Sequence, residues 1–274
     1  MRASIVIPSK GCQYLGFTMK SLKGQVVKPY EVILVLKDCE IRRVEAITQG
    51  LNHIVIEQKR GFFTHALNLG KREARGDIII FTDDDVIFPK GWVKRYFKLH
   101  ALYRGAAGIG SRDIYLDLNS VKLSPTSDDK PWVRLFRWTI RPIIDKPHLL
   151  LRKYRLGVYI TKNYRIAYGP CIPYRICYSL PLRGANMSFK AEYIHDARFP
   201  EHPKLVRAPG NEQYFALQLL LKGFDTIYVP DNPVLHIIRE SLSRTKEQHE
   251  LLYEFKFMRK LIAKLLEKYE VEPD

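Results

Sequence analysis

RGFFTHALNLGKREARGDIIIFTDDD, residues 60–85, holds a helix, a strand and a cluster of acids in that order. Thr64 to Ala74 places Ala66, Leu67, Leu69, Gly70 and Ala74 at helical spacing, which predicts an amphipathic helix. Asp77 to Thr82 is an almost unbroken Ile/Phe run, which predicts a buried strand. That strand stops at Asp83-Asp84-Asp85. Adjacent carboxylates raise one another's pKa unless something positive neutralises them. The residues alone leave two readings open. The acids form a solvated turn that caps a helix near Trp92, or they hold a divalent cation, for which hard oxygen ligands suit Mg²⁺ or Mn²⁺ beside substrate phosphates.

Upstream the same alternation repeats. Ala3 to Ile7 reads as a buried strand stopped by Pro8, Tyr14 to Gly24 as a helix, Glu31 to Leu36 as a second strand and His53 to Glu57 as a third. Val/Ile/Leu-rich strands alternating with helices describe an α/β fold, a Rossmann-like, mostly parallel sheet with helices on both faces. In such sheets ligands bind beyond the carboxyl ends of the strands, where loops and helix N-termini converge. Asp38 and Asp83-Asp84-Asp85 both lie at such ends.

Composition narrows the function classes. Forty-five Lys and Arg against 29 Asp and Glu leave the 274-residue chain at +16, which favours anionic partners. No apolar run approaches the ~18 residues that cross a bilayer, and residues 1–11 lack a signal-peptide core, so a cytoplasmic location is expected. Cys12, Cys39, Cys171 and Cys177 show neither CxxC spacing nor histidine partners, and reduced thiols are expected.

Most of the positive charge sits in one segment. Lys130 to Lys190 carries thirteen basic residues and one acid, Asp145, with Trp132, Phe136, Trp138 and a row of tyrosines among prolines. Pro131 to Ile140 could make a short amphipathic turn or two. Asn211 to Lys222 predicts a helix closed by Gly223, and Thr226 to Val229 a short strand. From Glu240 onward a long helix is expected, with Leu251, Phe255, Met258, Ile262, Leu265 and Tyr269 on one stripe. One composite domain is expected. It has a first half (residues 1–110), a second half (111–239) with a basic insertion at about 130–182, and a C-terminal helix (240–274).

The motifs together resemble family 2 glycosyltransferases of the GT-A fold. They are Gly61, Ala66-Leu67-Asn68-Leu69-Gly70, Ala74-Arg75-Gly76-Asp77 and Asp83-Asp84-Asp85, with Ser4 to Pro8 as the opening strand and proline. Arg183 to Phe189 resembles the acceptor-side Gly-x-Asn-x-x-Phe motif. Gly210-Asn211-Glu212-Gln213 is similar to the opening of the Gly-Glu-Asp helix, with Asn211 in place of the first acid. The resemblance covers residues 3–90 and 183–244 and leaves the basic segment and C-terminal helix outside.

The resemblance implies an inverting transfer of sugar from a UDP- or GDP-sugar, with Glu212 as catalytic base. It implies that Asp85, His236 and Asp83 hold Mn²⁺ or Mg²⁺. Pro8, Ser9, Asp38, Gly61, Asn68, Asp83 and Asp84 would contact the nucleotide sugar, Asp38 at the base and Asp83 at the ribose, although Asp84 could instead point outward and cap the next turn. Asn186 and Gly184 would meet the acceptor. Arg239 and Arg244 could reach the phosphates on a closing loop or be surface charge.

The acceptor is less constrained. A basic, aromatic segment and a basic helix suit an anionic membrane and a lipid-linked acceptor, or a glycan. The helix stripe could equally pack on the domain. Single-stranded nucleic acid fits poorly because it leaves the acidic strand end unexplained. A haloacid dehalogenase-like phosphotransferase would place its Asp-x-Asp near the first strand. A membrane- or nucleic-acid-binding protein with an inactive GT-A-like domain is the alternative.

Overall fold

The structure is a computed structural model of the 274-residue chain. It describes residues 1–238 and 248–270. Arg239 and Arg244 lie outside the described residues.

The chain opens with β1 (Ala3–Lys10), α1 (Leu15–Lys23), β2 (Glu31–Lys37), α2 (Ile41–Thr48), β3 (His53–Glu57), α3 (Phe63–Glu73) and β4 (Ile78–Phe81). Strands β4, β1, β2 and β3 lie side by side and all parallel. Their side chains are buried on both faces in β1, β2 and β4, which is why these strands read as unbroken apolar runs. β1 does not stop at Pro8 as the sequence suggested but pairs with β2 as far as Lys10. Pairing with β4 ends at Val6, so the N–H that proline lacks would have faced an edge already open.

Two motif glycines are explained by close packing. A Cβ on Gly70 would lie 2.3 Å from Val6 Cγ1, because α3 crosses β1 at that residue. A Cβ on Gly76 would meet Ser4 N at 2.6 Å, where the α3–β4 connection passes the start of β1.

After β4 come β5 (Val86–Ile87), α4 (Trp92–Leu102), β6 (Ala106–Gly110), β7 (Asp113–Asp117) and β8 (Lys122–Ser124). The basic segment supplies α5 (Pro131–Thr139), α6 (Arg141–Ile144), β9 (Val158–Ile160), β10 (Ile166–Tyr168) and β11 (Cys177–Tyr178). The path closes with β12 (Met187–Lys190), α7 (Asn211–Leu221), β13 (Asp225–Tyr228), β14 (Val234–Ile237) and α8 (Gln248–Glu270).

The main sheet has eight strands in the order β11-β13-β6-β12-β4-β1-β2-β3, with β12 antiparallel between β4 and β6. Strands from both halves of the chain therefore share one sheet. A second sheet, β5-β14-β7-β8, lies beyond the acidic end of β4, and β9 pairs with β10. One core cluster gathers Phe81, Phe189, Phe199 and Phe215, with Phe199 and Phe215 stacked at 4.2 Å. The other packs α1 and α4 through Leu15, Met19, Trp92 and Tyr96.

The expected state of the cysteines is corrected. Cys12 and Cys39 form a disulfide, while Cys171 and Cys177 are free thiols. The physical reason is register: Lys10 pairs with Lys37 at the ends of β1 and β2, so two residues further on each chain the cysteines meet. Of the α8 stripe, Met258 and Ile262 are buried, Leu251 and Leu265 half-buried, and Phe255 and Tyr269 exposed, with Leu266 also buried. No helix among the described residues is long and apolar enough to cross a membrane.

Candidate active site

The turn after β4 presents its three carboxylates in different directions. Asp84 turns inward, where its carboxylate accepts the Ser9 hydroxyl and its carbonyl accepts Thr18 Oγ1 at 2.7 Å. Of the two readings open for Asp84, contact with the nucleotide sugar or an outward cap, the outward cap does not hold, and the residue ties β1, α1 and the acidic turn together. Asp83 and Asp85 instead face a cleft of about 510 Å³. Ile237 N donates to the Asp85 carbonyl at 2.8 Å, so the second sheet clamps the turn at its acidic tip.

β14 pairs antiparallel with β5 and parallel with β7, and this brings His236 over the acids. One ligand atom each from Asp83, Asp85 and His236 lies within 4.8 Å of the others. His236 Nε2 stands 3.2 Å from Asp85 Oδ1, and Nδ1 donates to Asp113 Oδ2 at 3.2 Å. Burial opposes charge on this imidazole, but the hydrogen bonds to Asp113 and Asp85 and the field of Asp83 outweigh it and carry its pKa up to about 11. Once the Nε2 proton is displaced, the imidazole and two carboxylates form a donor set that could hold a divalent cation. A metal-ligating histidine normally hands its other N–H to a carboxylate, and Asp113 supplies that partner.

Asp113 belongs to a chain of buried charges that sequence reading missed. Arg183 pairs with Asp113 and reaches Asp128 at 2.6 Å, and Asp128 in turn pairs with Arg137 of α5. Burial would raise the Asp113 pKa, but His236 and Arg183 override it and hold the carboxyl down to about 2.

The opposite wall comes from α7. Gly210 caps that helix with φ 87°, a left-handed conformation that suits glycine, and directs Glu212 into the cleft. Burial raises the Glu212 pKa, against smaller opposing effects from its own backbone N–H, Gln213 and Arg183. Asn211 is buried, its amide donating to the Ala208 carbonyl at 2.9 Å. Gly184 lines the cleft, with open space where a Cβ would stand.

Asp38 is not in this cleft. It lines a separate hollow of about 400 Å³ at the ends of β2 and β3, with Lys37, Glu57 and Lys59. The order β4-β1-β2 sets Ser9, at the end of β1, between the two hollows. Pro8 and Ser9 are buried in β1.

Three other motif residues are held by contacts within the protein. Asn186 is fully committed internally: its Oδ1 accepts Trp92 Nε1 at 3.0 Å and Tyr96 Oη at 2.6 Å, while its amide donates to the Arg112 and Asn232 carbonyls. It locks β12 to α4 and has no capacity left for an acceptor. Asn68 brackets the 199–201 loop, exchanging hydrogen bonds with Phe199 and donating to Glu201 Oε1 at 2.6 Å. Gly61 serves the backbone, with φ +79° and His65 where its Cβ would stand.

Comparison with known proteins places this arrangement. No curated protein matches the sequence. The chain is similar to S. aureus TarS, with TM-score 0.60 and 15% identity over 96% of this chain and 39% of that one. It is similar to TarS 1-349 in complex with UDP-GlcNAc, with TM-score 0.59 and 15% identity over 96% and 66%. It is also similar to GalNAc-T7 with UDP, GalNAc and Mn²⁺, with TM-score 0.69 and 15% identity over 95% and 48%. The chain thus spans between 39% and 66% of these neighbours' lengths, and the likeness establishes the GT-A fold. The model of "Glycosyl transferase family 2" matches residues 4–163, more than half of the sequence, and the chain belongs to that family.

Proposed function

We propose that the protein transfers a sugar from a nucleoside-diphosphate sugar to an acceptor hydroxyl with inversion at the anomeric carbon. The observation that carries this reading is the convergence, in one cleft, of Asp83, Asp85 and His236 on one wall and Glu212 on the other. That neighbours were solved with UDP-GlcNAc or with UDP and Mn²⁺ supports a UDP-sugar as donor.

Asp83, Asp85 and His236 would hold the divalent cation, which supplies charge neutralisation for a departing diphosphate. Asp113 keeps His236 oriented with Nε2 toward the acids. Asp38 would meet the base, with the nucleotide lying along the strand ends from β2 to β4. Glu212, its basicity raised by burial, would take the proton from the acceptor hydroxyl as oxygen attacks the anomeric carbon. The helix N-terminus beneath Glu212 favours its charged form and limits that rise. The acceptor is a glycan or a lipid-linked group that enters past Gly184.

Nucleotide binding tests the reading directly. A ligand at 100 times its dissociation constant adds about 2.7 kcal/mol to the folded state. Melting shifts with UDP that need Mn²⁺ and vanish in Asp85→Ala are expected. Absence of a shift with UDP and GDP alike, with or without metal, would refute the proposal.

A further inference from the structure

Helices α5 and α6 turn much of their apolar surface outward. Trp132, Leu135 and Trp138, three residues apart on one face of α5, are 67%, 65% and 63% exposed, and Ile143 on α6 is 70% exposed. On the reverse face Arg137 is buried, paired with Asp128 and lying over the Tyr168 ring at 5.3 Å. An amphipathic helix packed on a core normally buries its apolar side. Here Val133 and Phe136 are half-buried beside Arg137, and two indoles and further aliphatic groups remain outward. A contiguous apolar face of this kind marks an interaction surface.

Charge identifies what covers it. Lys130 and Arg134 are exposed beside the indoles, Lys146 follows α6, and Asp145 is the single acid between Lys130 and Lys190. Asp145 is already paired with Arg141 at 3.6 Å. A second copy of the same face would bring like charges together. Nucleic acid would use the indoles and cations but has no use for Leu135 and Ile143. Tryptophan at the headgroup level, aliphatic side chains below it and Lys/Arg reaching back to phosphates match an anionic bilayer. We propose that α5 and α6 dock this protein in the headgroup region of an anionic lipid bilayer, lying on the surface without crossing it.

The chain supplies its own reporter, because its only three tryptophans are Trp92, which is fully buried, and the exposed pair Trp132 and Trp138. The experiment is flotation and tryptophan emission with vesicles of phosphatidylcholine, alone or with about a third phosphatidylglycerol. The expected result is flotation with the anionic vesicles, a blue shift of emission and quenching by brominated acyl chains. Trp132→Ser with Trp138→Ser should lower partitioning by about tenfold or more. Lys130→Glu with Arg134→Glu should weaken it by roughly fivefold per charge.

Failure to float, or flotation that neither variant changes, would overturn the proposal. So would a lipid-free dimer that the tryptophan variant dissociates. Should the tryptophan variant unfold, the charge variant and quenching of the native protein decide, and an unquenched native protein overturns the proposal. None of these readouts involves sugar transfer, so failure here and failure of the transferase reading remain separate results.

Discussion

Asp113 and Glu212 show how single residues set the chemistry of the cleft. Asp113 receives His236 Nδ1–H and pairs with Arg183, so Asp113→Asn should loosen the imidazole and lower Mn²⁺ affinity about 10- to 100-fold, read by calorimetric titration. The same carboxyl, held at about 2 against an ordinary 3.8, contributes stability that is complete above the ordinary value and lost as pH falls toward 2. Urea midpoints measured across that window should fall less steeply in Asp113→Asn than in the native protein. Glu212 has the opposite sign. Its raised pKa means that the folded state holds the proton more tightly than the unfolded chain, so ionisation costs stability at higher pH. Glu212→Gln should therefore melt above the native protein at pH 8, with the gap closing as pH falls below about 4.5, the ordinary value. Its turnover should drop by about 10²- to 10⁴-fold with UDP binding retained.

The elements are positioned by contacts that allow little substitution. α3 rests on β1 only because residue 70 has no side chain: a Cβ there would stand 2.3 Å from Val6 Cγ1 and 3.3 Å from Val35 Cγ2. Gly70→Ala should cost about 1–3 kcal/mol of unfolding free energy, measured by urea denaturation, while leaving the Asp83-to-Asp85 turn chemically intact. At the other end of β1 and β2, the Cys12–Cys39 bond ties the two loops that border the Asp38 hollow. The motif glycines and the disulfide thus act on the same pair of strands, one from the helix face and one from the ligand end.

Across the whole molecule, α8 reaches back to the wall of the cleft that carries Glu212. Its buried Glu254 accepts the backbone N–H groups of Arg207 and Ala208 at 2.9 and 2.7 Å, and Ala208 holds φ 47° just before the Gly210 cap. Glu254→Ala leaves both donors without that acceptor and should cost about 1–3 kcal/mol. It should lower turnover more than UDP affinity, because the 207–210 segment carries Glu212 and not the nucleotide side. Comparing kcat with a calorimetric UDP dissociation constant checks this.

The sequence by itself determined the four parallel strands of residues 3–82, their alternation with helices and the carboxylates at their ends, because apolar periodicity and turn residues are local. The family resemblance pointed to Asp83, Asp85, His236 and Glu212, and the structure brings all four to one cleft. Only the tertiary structure decided what each polar side chain touches. Asn186 and Asn68 stand in motifs yet spend their hydrogen bonds inside the protein, and Asp84 turns in to Ser9. Cys12 and Cys39 meet because two strands share a register, and Asp113 becomes the partner of His236 because β7 and β14 do. These pairings join residues 27 to 123 positions apart, and no periodicity along the chain encodes contacts across a sheet.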